Sequence, residues 1–205
     1  MNTAATGPVV SLWWPASNTY QGTDVGNPYG ICDGSASRAC AYVHGFAMAY
    51  GDVVDAQAAG GGLAHRVWWL DVETGNSWLP DRAVNAAELE GMTAYLQGAG
   101  AEVGMYSTAY QFGEIVGAVS PGSNLFTLKN WIAGAESTSS ARELCTSAPL
   151  TDGGTVTLTQ FTEGNLDYNY PCPAAAPVAP PPPPAPQPKE LRSRAYAEMH
   201  AAQIS

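Results

Sequence analysis

The sequence predicts an α/β fold with mainly parallel strands, and three observations carry that prediction. Short β-branched or aromatic runs alternate with helical patterns along residues 9–170, the order expected of β/α units joined by right-handed crossovers. The run at 66–72 is apolar without alternation, as in a parallel strand covered on both faces. Five or six strands can be counted, whereas a closed eight-stranded barrel takes about 250 residues. The expectation is an incomplete TIM-like (β/α) barrel, followed by a Pro-rich tail and a short C-terminal helix.

The elements follow in order. Residues 9–14 (Val-Val-Ser-Leu-Trp-Trp) read as a buried strand that Pro15 ends. A Gly-, Asn- and Asp-rich loop over 17–37 leads to a helix over 39–59, with Val43, Phe46, Ala47, Tyr50 and Val54 at helical spacing. Three glycines, 60–62, stop it. A strand over 66–72, a loop over 74–82 and a helix over 84–99 come next. Then follow a strand at 102–107, a short helix at 108–118 with Thr108 as its N-cap, and a strand at 128–133. One or two helical turns are expected over 137–145, a β-branched strand over 155–161 and a last short strand over 166–170.

Residues 1–172 form the folded domain in this reading. Residues 173–188 are a Pro/Ala-rich linker of extended polyproline character. Residues 189–205 are a short helical or disordered tail. The tail reads as a spacer or as the attachment to a cell-envelope partner.

A net charge of −10 disfavours phosphate backbones, so nucleic acid is excluded as a partner. Six Trp and ten Tyr offer rings on which sugar faces can stack, or simply fill a core. Four cysteines without a C-x-x-C pair argue for disulfides and against a zinc site. Three pairings are open, and Cys32–Cys40 with Cys145–Cys172 is favoured. That chemistry points to an extracellular or cell-envelope setting. Residues 1–8 carry no signal-peptide pattern, which leaves an upstream start or another export route. His44, His65 and His200 have no partners at metal spacing. No G-x-S-x-G, P-loop or Rossmann fingerprint occurs. Neither a metal nor a cofactor is expected.

Asp71 and Glu73 carry the chemistry. They stand two apart, so they share a face of the strand, and they follow its apolar run at the C-terminal end. Active sites of parallel α/β folds form at that end. Two like charges on one face raise at least one pKa, as a general acid near neutral pH requires. The bland alternative is a solvated pair of acids at a strand end.

The surroundings of the pair extend this reading. Trp69-Leu70-Asp71-Val72-Glu73, then Val103-Gly104-Met105-Tyr106-Ser107, then Asn130-Trp131-Ile132-Ala133, then Leu158-Thr159-Gln160-Phe161 with Asp167-Tyr168-Asn169 occur in this order. So ordered, they resemble glycoside hydrolase family 25, lysozymes with a modified α/β barrel, and within it a branch of actinobacterial secreted proteins. The resemblance covers residues 9–172. It implies Glu73 as general acid/base, with Asp71 orienting a substrate N-acetyl group or stabilising developing positive charge. It further implies Tyr106, Trp131, Gln160 and Asp167 as cleft residues. Trp78, in the loop after Glu73, either stacks on a sugar or folds back over the barrel. The family's aspartate on its first strand has no counterpart here, so the first β/α units are expected to be missing. Two functions follow. One is an N-acetylmuramidase-like hydrolase of peptidoglycan-type polysaccharide. The other is a catalytically inactive, glycan-binding cell-envelope protein with a degenerate barrel.

Overall fold

The computed structural model describes residues 19–63 and 66–173. The expected strand at 9–14, His65, His200, the rest of the Pro-rich linker and the tail lie outside the described residues. Among the described residues nine elements follow one another: α1 (Arg38–Ala58), β1 (Val67–Asp71), α2 (Arg82–Gly98), β2 (Glu102–Ser107), α3 (Ala109–Ile115), β3 (Lys129–Ala135), α4 (Thr138–Leu144), β4 (Thr155–Glu163) and β5 (Leu166–Pro171). The strands form one curled, half-barrel sheet in the order β1-β2-β3-β4-β5. β1 to β4 run parallel, and β5 returns antiparallel along β4.

Local chemistry sets the helix starts. Ser37, Asp81 and Thr108 each accept a hydrogen bond from a backbone N–H of the first turn, and Ser137 with Ser140 closes a capping box. Asp81 takes the cap three residues before the helix start expected from hydropathy.

β1 explains its own unbroken apolar run. Trp68, Leu70 and Val72 face the helices and join Leu89, Met92 and Leu96 of α2 in the main core. Trp69, between them, is 5% exposed on the opposite face. Its ring lies across β2 at Gly104, where a Cβ would fall 2.4 Å from the indole. Only glycine admits that ring.

α1 buries Val43 as the periodicity names it and half-buries Phe46 and Ala47, but its later turns bury a different line. Tyr42, Gly45, Ala49 and Val53 are buried, whereas Tyr50 and Val54 are exposed. The reason is close approach to α2. A Cβ on Gly45 would lie 1.9 Å from the Glu88 carbonyl oxygen, and one on Gly91 would lie 1.9 Å from that of Tyr42. Hydropathy gives small residues little weight, yet they decide which face fits. Beside this contact, His44 Nδ1 meets the buried Glu88 carboxylate at 2.9 Å.

Both favoured disulfides form, Cys32–Cys40 ahead of α1 and Cys145–Cys172 between the end of α4 and the end of β5. They are compatible with an extracellular setting. Among the described residues, no helix is long and apolar enough to cross a membrane.

Candidate active site

Asp71 is the last residue of β1 and stands beside Tyr106 of β2, which stands beside Trp131 of β3. In-register neighbours share a face, so these three side chains line the inner face of the curl. The turn that carries Glu73 is pinned from both sides. Val72 N–H donates to the Tyr106 carbonyl at 2.9 Å, and the buried Ser107 hydroxyl donates to the Val72 carbonyl at 2.5 Å. The Glu73 carbonyl accepts from Asn76 N–H at 3.0 Å and from Trp78 Nε1 at 2.7 Å. Gln111 of α3 holds the next residue, its Oε1 accepting from Thr74 N–H at 2.5 Å and Thr74 Oγ1 at 2.9 Å.

Burial pushes the Asp71 carboxyl up to about 6, and the charge of Glu73 adds to the rise while Asn76 opposes it. Asp71 Oδ1 is buried with no hydrogen-bond partner among the described residues. The Tyr106 phenol is held in its protonated form, first by burial and then by the charges of Glu73, Asp71 and Asp167. Its hydroxyl donates to Gln160 Oε1 at 2.8 Å. Tyr106 therefore draws four of the residues named from sequence into one electrostatic neighbourhood: Asp71, Glu73, Gln160 and Asp167.

The remaining residues are placed as follows. Asp167 is exposed on β5 and accepts from Thr162 Oγ1 at 2.9 Å. Trp131 is buried, its ring 4.5 Å from that of Tyr106 and 5.5 Å from that of Trp69, and its Nε1 has no hydrogen-bond partner among the described residues. Trp78 packs against the main core with its N–H on the Glu73 carbonyl, a position that fixes the loop. Among the described residues, no three His, Cys, Asp or Glu side chains are grouped to hold a metal.

Comparison with known proteins bears on this arrangement. A family described as "Lysozyme-like protein 1" matches residues 52–143, a stretch from within α1 into α4 that contains Asp71, Glu73, Tyr106 and Trp131. A curated protein of Dictyostelium discoideum, "Probable GH family 25 lysozyme 4", is 38% identical over 64 residues, covering 31% of this chain and 30% of that protein. Over these stretches the chain is similar to lysozyme-like proteins of the family 25 kind. It spans under a third of the length of that curated relative. No solved structure matches it.

Sequence reasoning missed the residues that hold the carboxylates in place. Gln111 carried a signal, because Thr108-x-x-Gln111 is the spacing of a capping box. Thr108 does cap the Gln111 N–H at 3.1 Å, but the glutamine side chain reaches Thr74 instead of closing the box. Ser107 and Asn76 gave no such signal, since their partners are backbone carbonyls on a neighbouring strand and turn.

The raised Asp71 pKa makes a stability prediction. The carboxyl binds its proton more tightly folded (about 6) than at its ordinary value of 3.8. Ionising it therefore costs folding energy, and the cost is absent below pH 4, grows between pH 4 and 6, and is complete above pH 6. Asp71→Asn removes the charge. With solvent access discounting the shift, the gain is on the order of 1 kcal/mol, or about 2–4 °C in Tm at pH 7.5. Melting curves of both proteins at pH 4 and pH 7.5 check this, and a gap of equal size at both values contradicts it.

Proposed function

We propose that the chain is an N-acetylmuramidase-like hydrolase of peptidoglycan-type glycan, with Glu73 as general acid/base. The observation that carries the reading is the joint placement of Asp71 and Glu73 at the C-terminal end of a parallel strand, next to the protonated Tyr106. Lysozyme-like relatives supply the substrate class.

In this reading Glu73 gives its proton to the leaving glycosidic oxygen and, as carboxylate, takes one from the incoming water. Asp71 works ionised, the solvent-facing side of its half-buried carboxylate accepting the N–H of the substrate's acetamido group so that the acetyl oxygen faces the anomeric carbon. Such substrate-assisted schemes need no carboxylate nucleophile. Tyr106 and Gln160 hold the acidic pair's inner wall.

Because Asp71 works as a carboxylate with its pKa near 6, kcat/KM for glycan cleavage falls tenfold per pH unit well below pH 6. Reducing-end release from purified peptidoglycan, measured from pH 4 to 8, reads that limb. A profile flat across pH 6 removes Asp71 from this role.

The second reading is glycan binding without turnover. A half-barrel sheet that walls the acidic pair on one side favours it. The same assay decides: sedimentation with peptidoglycan and no reducing ends at any enzyme concentration selects the binding protein.

A further inference from the structure

A second built site lies outside the acidic pair. The loop before α1, the first half of α1, the middle of α2 and the 116–128 loop enclose a cavity of about 430 Å3, within the size range of small-molecule sites. None of the residues named above for glycan chemistry lines it.

Glu90 is buried within it, 8% exposed. The Tyr29 hydroxyl donates to one carboxylate oxygen, and Ser123 Oγ donates to the other at 2.5 Å. No Lys, Arg or His forms an ion pair with Glu90 among the described residues. The cavity's own cation, Arg38, instead lies over the Tyr29 ring, 4.7 Å from its centroid. Tyr29 thus separates the two charges, with its face to the guanidinium and its hydroxyl to the carboxylate. Asn124 Nδ2 donates to the Glu90 carbonyl at 2.9 Å, which orients the amide and leaves its buried Oδ1 without a partner.

A buried carboxylate served only by neutral donors is an expensive arrangement that an incoming cation would relieve. Each carboxylate oxygen retains acceptor capacity beyond one hydroxyl. The rings of Tyr29 and Tyr42 favour an ammonium group beside them. An anion alone would meet Glu90, a cation alone would meet Arg38, and a neutral sugar would answer neither. We propose that this cavity binds a small zwitterion of the amino-acid type, its ammonium on Glu90 and its carboxylate on Arg38. Past the Tyr29–Arg38 pair a second hollow of about 500 Å3 continues along Ile31 and Asp33, with room for a further residue of a short peptide.

The test titrates the full chain with alanine and with alanyl-alanine, following amide shifts by NMR. Saturable shifts confined to Tyr29, Arg38, Glu90, Ser123 and Asn124 are expected. N-acetylation or C-amidation of the dipeptide weakens binding about tenfold, as does Glu90→Gln or Arg38→Gln. Arg38 is exposed, so its variant keeps the parent Tm and remains informative if Glu90→Gln alters folding. The proposal is overturned if neither probe saturates, if the doubly blocked dipeptide binds as well as the free one, or if diacetylchitobiose takes the same cavity with equal affinity. None of these outcomes depends on whether Glu73 cleaves glycan.

Discussion

Glu73→Gln is expected to lower reducing-end release from peptidoglycan on the order of 10³-fold while leaving the fold and Tm unchanged. The amide is isosteric with the carboxyl and can still accept from Tyr106, and the turn itself is held through the backbone: Asn76 and Trp78 both donate to the Glu73 carbonyl. The turn therefore survives the substitution, and only proton transfer is lost. Asp71→Asn also lowers turnover, yet it raises Tm near neutral pH, because a half-buried charge disappears. The two variants differ on stability, where only Asp71→Asn raises Tm, and agree in direction on activity. Combining them costs much less than the product of the single effects, since both serve one transition state. If Glu73→Gln clears cell walls as fast as the parent, the acid is another residue. If neither protein turns over glycan and both sediment with it, the chain is a binding protein.

Gly91→Ala is the change with the largest expected effect on stability. Its new methyl would sit 1.9 Å from the Tyr42 carbonyl oxygen, and the obstacle is backbone, which no rotamer change can move aside. α1 and α2 must separate locally, and the core that Ala49 and Val53 share with Leu89 and Met92 loosens. About 3 kcal/mol is expected, or roughly 6–12 °C in Tm for a domain of this size. Gly45→Ala meets the Glu88 carbonyl at the same distance and has a similar effect. The double variant falls short of the sum, because one separation accommodates both methyls. Gly51→Ala, also on α1, is the control. Nothing lies within 4 Å of its Cβ, so helix propensity dominates and stability rises by up to about 1 kcal/mol. Denaturant midpoints of the three single variants check the contrast, and equal losses at Gly45, Gly91 and Gly51 would contradict close packing as the cause.

The sequence made some features legible because their causes are local. Strand and helix order follows from period and turn chemistry, so β1 to β4 and the helices α1 to α4 fall where the patterns place them. β5 was readable as a short last strand, but its reversal was not, since direction depends on the tight turn at Gly164 and on pairing with β4. The lie of α1 was misread because Gly45 and Ala49 contribute shape where Tyr50 and Val54 contribute hydropathy. At the acidic pair, position in the strand and spacing singled out Asp71 and Glu73 as candidates. The restraints on them were hidden, because Ser107 and Gln111 act across elements on backbone atoms. Glu90 was hidden for the same reason, since its hydroxyl partners Tyr29 and Ser123 lie 61 and 33 residues away.

The sheet's spatial order repeats its order along the chain, and that has a consequence for synthesis. Among the described strands, each one after β1 finds its pairing edge already made when it leaves the ribosome. Cys145 is the exception, because its partner emerges 27 residues later, at the end of β5. Its thiol stays open to alkylation until β5 docks, then disappears. Timed trapping of Cys145 is therefore a clock for completion of the C-terminal half of the sheet.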